Sequence, residues 1–262
     1  MIARSWLLLS SFGLSLSAQS TDSAFWRKSD TRFTIAAVAA TGIVAVYDER
    51  IARWARQSDI QGDSSRHDFV HSITFINEQP LTIAAVVTYG VGRIGHWKTV
   101  ADVGAHLTEA LVATELVNGL FRISIGRTRP RASPDDAFIF HPGQGFSNFD
   151  YRSFPSLHAA VAFATAGTLV EELRVRNHLT SWWQAPALYT AAAIPGFTRI
   201  YLDEHWASDI VAGTFVGVMV GTHLVRYAHQ HKTRLDRLLL GLRVAPSPTG
   251  IGVGWSSANF AQ

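Results

Sequence analysis

Six apolar segments of helical length, separated by polar loops, are what most constrains the fold of this 262-residue chain. No internal repeat and no low-complexity linker interrupts them. Apolar helices that follow one another along a chain pack together to bury their faces, so the sequence predicts an all-α bundle of about six core helices in a single domain. The segments are Phe33–Tyr47, Leu81–Gly92, Asp102–Phe121, His158–Val170, Ala185–Phe197 and Asp209–Tyr227.

The two ends of the chain differ from this helical centre, residues 19–243. An arginine precedes the apolar stretch Trp6–Leu16, and Ala18-Gln19-Ser20 fits the small-x-small pattern of signal peptidase sites. Residues 1–18 are therefore predicted to be a cleaved signal peptide, with an uncleaved membrane anchor as the alternative. Residues 244–262 contain glycines and prolines among alternating apolar residues, which predicts a short hairpin or an irregular tail.

The composition favours contact with a membrane. Hydrophobic residues make up 47% of the chain and charged residues 16%, below the roughly 25% typical of soluble domains. A membrane-spanning helix needs about 20 mostly apolar residues, and Asp209–Tyr227 comes closest to that length. The absence of cysteine excludes disulfides and thiolate chemistry. No basic run interleaved with aromatic residues points to nucleic acid.

Basic residues give an orientation for a bundle that spans a membrane. By the positive-inside rule, the side that carries the basic residues around positions 27–32, 93–98, 174–176 and 232–237 is cytoplasmic and the loops 122–157 and 198–208 face outward. This predicts a bacterial inner-membrane protein with those loops in the periplasm, or alternatively a soluble periplasmic protein. If the signal peptide is cleaved, the mature N-terminus lies outside, and six spans then have the opposite orientation. Cleavage, six spans and this orientation are therefore not all compatible. The cytoplasmic end has Arg27, Lys28, Arg32, Arg93, Lys98, Arg174, Arg176, Lys232, Arg234 and Arg237, and the opposite end has Arg50, Arg53 and Arg56.

The first of three polar clusters contains Arg122, Arg127 and Arg129, directly after the third apolar segment. Cations beside an apolar segment are costly unless anions pair with them, and guanidinium groups bind phosphate oxygens with two parallel hydrogen bonds. The structural alternative is a cationic collar at a helix end, which the helix dipole favours.

The second cluster opens the fourth apolar segment. Ser156 is a typical N-cap residue, and His158 lies in the first turn, where free amide groups favour an anion. Taken alone, the cluster is equally compatible with an ordinary capped helix that places a histidine at an interface.

The third cluster runs from Thr198 and Arg199 to His205 and Asp209. A histidine and an aspartate four residues apart share one face of a helix. A carboxylate on one imidazole nitrogen leaves the other nitrogen free to act as a nucleophile. A His/Asp pair on a helix surface, without any catalytic role, gives the same pattern.

In this order the clusters resemble the signature of the type-2 phosphatidic acid phosphatase and vanadium haloperoxidase superfamily. That signature is Lys, six residues, Arg-Pro; then Pro-Ser-Gly-His; then Ser-Arg, five residues, His, three residues, Asp. Here Arg122 takes the lysine position, Leu157 the glycine position and Thr198 the serine position. The identical positions are Arg129, Pro130, Pro155, Ser156, His158, Arg199, His205 and Asp209.

The resemblance implies a phosphatase that acts on the phosphate monoesters or pyrophosphates of lipids at a membrane. It implies that His205 attacks phosphorus, that Asp209 orients it, and that His158 protonates the leaving alkoxide and then activates water. It implies no metal and no cofactor, because arginines supply the positive charge. The implied phosphate-binding residues are Arg122, Arg129, Ser156 and Arg199, and the supporting residues are Arg127, Leu157 and Thr198.

Three other functions fit the same residues. A soluble exported acid phosphatase of the same superfamily would account for the short apolar segments. A vanadate-dependent haloperoxidase is less compatible with the length of the chain, since those proteins are typically much longer. A phosphate-binding protein without activity would account for Leu157 at the glycine position, because glycine adopts conformations that strain other residues. The pattern specifies neither the individual phosphate substrate nor an oligomeric state.

Overall fold

The computed structural model describes residues 26–230, 242–247 and 250–255. The predicted signal peptide at 1–18 and the basic residues Lys232, Arg234 and Arg237 lie outside this range. The described residues form nine α-helices: α1 (Lys28–Ala45), α2 (Asp48–Ala55), α3 (Ser58–Gln61), α4 (Ser64–Ile73), α5 (Glu78–Ile94), α6 (Lys98–Ile125), α7 (Leu157–Val175), α8 (Gln184–Tyr201) and α9 (Ala207–Gln230).

The six longest of these helices confirm the all-α prediction. Each apolar segment found in the sequence corresponds to one of them, namely α1 and α5 to α9. The three short helices α2, α3 and α4 connect α1 to α5 and were not predicted. The loop from α6 to α7 contains two single-turn 3₁₀ helices, Gln144–Phe146 and Phe149–Tyr151.

Helix α7 forms the centre of the bundle, and α9 packs most closely against it. Much of α7 is alanine, and most of its side chains are buried. Three glycines of α9, one turn apart, face the α7 backbone. A Cβ atom on Gly217 would lie 2.1 Å from the Ala160 carbonyl oxygen, with similar clashes at Gly213 and Gly221. These glycines therefore allow the two helix backbones to approach closely.

The helix directions sort the loops between two ends of the bundle. Helices α6 and α8 end, and α7 and α9 begin, at the end that holds loops 126–156 and 202–206, which we call the motif end. The other end, the basic end, holds Arg93, Lys98 and Arg176. At the motif end, two of the three arginines that do not fit the predicted orientation are paired with acids, Arg53 with Glu49 and Arg56 with Asp203.

Large apolar side chains are exposed on the outer helix faces. One helix among the described residues, α9, is long and apolar enough to cross a membrane by length and composition. Others expose apolar faces although they fall short of that test. Examples on α1, α5 and α6 are Ile35, Val38, Ile43, Ile83, Val87, Leu116 and Leu120.

A two-stranded hairpin lies beyond the bundle. Strands β1 (Leu242–Ser247) and β2 (Gly250–Trp255) pair antiparallel, with Leu242 opposite Trp255 and Ser247 opposite Gly250. A hairpin is one of the two forms predicted for the glycine-rich tail, and it begins at Leu242, two residues before the predicted boundary at 244.

Candidate active site

The three polar clusters predicted from the sequence meet at the motif end. Arg122 lies in the last turn of α6, His158 in the first turn of α7, and His205 in the short loop between α8 and α9. Arg127 of the first cluster donates a hydrogen bond to Asp209 of the third at 2.6 Å. The imidazole rings of His158 and His205 lie 6.3 Å apart between centroids, with an angle of 62° between their planes.

His205 has one nitrogen held by the fold and one left open. Its Nδ1 lies 2.7 Å from the Ser153 carbonyl oxygen, so Nδ1 carries the proton and donates. Its Nε2 is buried and has no hydrogen-bond partner among the described residues, so the lone pair there is available. Burial, with a contribution from the positive charges of Arg129 and Arg122, lowers the pKa of His205 to about 4. The ring is therefore neutral at pH 7.

Asp209 supports His205 without bonding to it directly. Its Oδ2 accepts hydrogen bonds from Ser153 Oγ at 2.5 Å and from the Trp206 amide at 2.8 Å. The same oxygen lies 3.6 Å from His205 Nδ1, beyond hydrogen-bonding distance. Asp209 thus holds Ser153, whose carbonyl accepts from His205, and Trp206, which follows His205 in the chain. Its charge lies close enough to His205 to stabilise an imidazolium.

Arg127 is fully occupied in holding the site together. It is buried, and its guanidinium donates to Asp209, to Asp48 Oδ2 at 2.8 Å and to the Ala137 carbonyl. Asp48 in turn accepts from the Ser208 amide at 2.8 Å. The supporting role predicted for Arg127 is therefore to tie α2, the α6–α7 loop and α9 together. Asp48 was missed, because no sequence motif surrounds this first residue of α2.

His158 lies beside a second residue that the sequence did not reveal. Its Nε2 is 3.9 Å from Oε2 of Glu78, the first residue of α5, and its Nδ1 is buried with no partner among the described residues. The guanidinium groups of Arg199 and Arg122 lie close to His158, so their positive charges disfavour a second proton on its ring until an anion enters. The sequence gives little indication of Glu78. It is an acidic residue directly after the N-cap Asn77, and acidic residues are common at helix starts.

Three guanidinium groups face the same region. Arg122 donates through Nε to the Arg152 carbonyl at 2.9 Å, and burial together with the nearby charge of Arg129 lowers the pKa of Arg122 to about 10. Arg129 stacks on the Phe149 ring and forms an ion pair with Glu204. The mutual repulsion of partly buried cations is relieved when an anion binds among them.

Arg199 completes this set of cations. Its Nη2 donates to the Thr74 carbonyl at 3.3 Å, while its Nε is buried without a partner among the described residues. The hydroxyl of the neighbouring Thr198 is used within α8, where it donates to the Pro195 carbonyl at 2.8 Å.

Leu157 occupies an ordinary helical position. It is the first residue of α7, directly after the N-cap Ser156, whose hydroxyl accepts from the Ala159 amide. The amides of a first helical turn have no acceptor within the helix and suit an anion. The Leu157 side chain packs on the buried cluster of Leu111 and Val161. Leucine adopts this helical conformation without strain, so the backbone conformation itself does not require glycine here.

Known proteins share this sequence pattern and fold. Residues 104–233 match the PAP2 superfamily. The chain is 29% identical to a lipid A 1-phosphatase of Porphyromonas gingivalis, over 74% of this chain and 38% of that protein. It is 30% identical to a lipid A 4′-phosphatase of Bacteroides thetaiotaomicron, over 58% of this chain and 65% of that protein. The chain thus spans less than two thirds of the length of either relative.

A solved structure supports the fold. The crystal structure of a transmembrane PAP2-type phosphatidylglycerolphosphate phosphatase from Bacillus subtilis superimposes with a TM-score of 0.51 at 22% identity, over 78% of this chain and 95% of that one. The region that matches the superfamily contains all three polar clusters and the helices that bring them together. The chain therefore belongs to the PAP2 superfamily.

Proposed function

We propose that this protein is a phosphatase that removes phosphate from a lipid through a phosphohistidine intermediate on His205. The observation that carries the proposal is the state of His205: Nδ1 is fixed by the Ser153 carbonyl, and Nε2 is buried without a partner, opposite the ring of His158. A neutral imidazole with an oriented free lone pair is a nucleophile.

In the first step, His205 Nε2 attacks phosphorus and the bond from phosphorus to the ester oxygen breaks. The leaving alkoxide takes a proton from His158. His158 acquires that proton when a phosphate monoanion enters, because the second pKa of a phosphate monoester is about 6 and the proton then moves within the complex. The positive charge that develops on His205 is stabilised by Asp209, 3.6 Å from Nδ1.

In the second step, His158 accepts a proton from water, the water oxygen attacks phosphorus, and the bond from phosphorus to His205 breaks. His158 then passes its proton to the product, which leaves as H₂PO₄⁻, and both histidines are again in their neutral forms. Arg122, Arg129 and Arg199 neutralise the phosphoryl oxygens throughout, which is the role that Mg²⁺ has in many other phosphoryl-transfer enzymes. We therefore propose catalysis without a metal ion.

A lipid substrate suits the surroundings of the site. Phe75, Leu120, Phe121 and Phe197 are exposed near the motif end, where they can contact acyl chains. The lipid A phosphatases that the chain resembles point to a phosphate on a glycolipid. The proposal includes a location in a bacterial inner membrane with the motif end in the periplasm, which places the lysines and arginines of the basic end on the cytoplasmic side. The arginines of the motif end are accounted for by their acidic partners and by the phosphate that they would bind.

A phosphate-release panel tests this function. Purified full-length protein in detergent would be offered lipid A carrying both phosphates, phosphatidic acid, phosphatidylglycerol phosphate, undecaprenyl pyrophosphate and p-nitrophenyl phosphate. We expect the highest kcat/KM on lipid A, and a loss of at least about 10³-fold in kcat for His205→Ala on every substrate. Turnover of the soluble ester alone would contradict a lipid phosphatase, and undiminished turnover by His205→Ala would exclude the phosphohistidine.

A further inference from the structure

A second group of titratable side chains lies at the basic end of the bundle. His106 of α6, Glu172 of α7 and His229 of α9 meet there. Glu172 Oε1 lies 2.5 Å from His106 Nδ1 and 3.1 Å from His229 Nε2. Glu172 is about 20 Å along α7 from His158, at the rise of an α-helix. None of the proposed catalytic steps uses these residues.

We infer that His106, Glu172 and His229 form a binding site for a divalent transition-metal ion, with Zn²⁺ as the best match. Two imidazole nitrogens and one carboxylate oxygen are a donor set that Zn²⁺ adopts in proteins. The three donor atoms lie within 4.8 Å of one another, so small side-chain rotations bring them around one ion. Each imidazole ring now contacts Oε1 of Glu172 through an N–H proton. The metal ion takes the place of these protons when it binds.

The surroundings of Glu172 fit a metal ligand. Its other oxygen, Oε2, accepts a hydrogen bond from Arg176 Nε at 2.8 Å, and Arg176 also contacts Asp102 at 3.4 Å. This arrangement fixes the carboxylate and leaves Oε1 to face the histidines, as outer partners of metal ligands commonly do. Two carboxylates against one guanidinium leave a net negative charge that a divalent cation offsets.

The position of the cluster suits a structural ion. His106 and Glu172 are buried, whereas His229 is exposed near the end of α9, so an ion can reach the cluster from solvent. The three ligands come from three different core helices. Because the unfolded chain does not hold these residues together, metal binding adds to the stability of the folded state.

The test is a Zn²⁺ titration of the metal-stripped full chain in detergent, in competition with a chromophoric chelator. We expect one tight site per chain, a higher midpoint of thermal unfolding with Zn²⁺, and, with Co²⁺, the visible absorption of a nitrogen- and oxygen-ligated ion. Glu172→Gln and His229→Gln should each weaken Zn²⁺ binding at least tenfold. His229 is at the surface, so its variant folds even if a change at buried Glu172 does not.

A matched control comes from α4. His67 and His71 lie 4.3 Å apart between ring centroids on an exposed helix face and form an alternative histidine pair. His67→Gln should leave the tight site intact. His205→Ala should also bind Zn²⁺ normally, so the site is tested independently of phosphatase activity. Loss of the tight site in His67→Gln, or its survival in His229→Gln, would overturn the inference.

Discussion

At the scale of single residues, the reactivity proposed for His205 depends on which atom holds its Nδ1. The spacing of His205 and Asp209 suggested a direct bond on one helix face. In the structure α9 begins at Ala207, so His205 precedes the helix and its Nδ1 turns to the Ser153 carbonyl. A contact with a backbone oxygen 52 residues away depends on the tertiary fold and has no local sequence signal.

The pKa of His205 predicts the acid limb of the pH profile. Its folded pKa of about 4 lies below the ordinary value, so the ring stays a free nucleophile until the pH falls through about 4. We expect kcat/KM to fall below that pH, and to fall again above about 6, where the substrate monoanion disappears. Measurement of kcat/KM between pH 3 and 9 checks this. An acid limb centred near 6.5 would mean that His205 is not desolvated.

A comparison of Asp209→Asn with Asp48→Asn separates catalysis from stability. Each substitution removes one of the two carboxylates paired with buried Arg127, so each should destabilise the fold by about 3–5 kcal/mol. Only Asp209 lies near His205. We expect Asp209→Asn to lower kcat about 10- to 10³-fold, less than His205→Ala, and Asp48→Asn to lower it much less. Equal kcat losses in thermally matched samples would assign Asp209 a purely structural role.

At the scale of helices, the sequence located the six long elements because long apolar periodic segments have few alternatives in a compact fold. It missed α2, α3 and α4, which are short and lack a long apolar stretch. The fold answers one question about Leu157, and its effect on turnover stays a prediction. The family's glycine suggested an unusual backbone conformation, whereas α7 begins with ordinary helical geometry that leucine adopts easily.

The packing of α9 on α7 can be tested with two glycines. A methyl group at Gly217 would overlap the Ala160 carbonyl, so Gly217→Ala should destabilise the protein by about 1–3 kcal/mol. Gly119 of α6 has no neighbour within 4 Å of its would-be Cβ, so Gly119→Ala should be neutral or stabilise by up to about 1 kcal/mol. Thermal unfolding in one detergent compares them. A Gly217→Ala variant as stable as Gly119→Ala would show that the helices can separate freely.

At the scale of the whole molecule, the two ends of the bundle have different chemistry. The motif end brings arginines and two histidines together, and the basic end holds the His106, Glu172 and His229 cluster. The order of the apolar segments and of the motifs along the chain predicted the all-α bundle and placed the three clusters at its motif end. The cluster could not, because its three residues come from different helices and show no joint spacing.

Chelation should separate the two ends. EDTA is expected to lower the midpoint of thermal unfolding, because it removes the ion from the basic end, and to leave phosphate release at 25 °C unchanged. Both quantities can be measured on one preparation, with added Zn²⁺ restoring the midpoint. Loss of phosphate release on chelation, at a temperature where the protein stays folded, would contradict catalysis without a metal.

The bond between Asp48 and Arg127 also bears on where the working unit of this protein begins. Asp48 lies well before residue 104, where the similarity to the superfamily starts, and so does Glu78 beside His158. A fragment trimmed to the recognisable region would retain every signature residue. Its buried Arg127 would nevertheless have lost one of two carboxylates, and His158 its acidic neighbour. We therefore expect the minimal active fragment to be longer than the region by which the family is recognised.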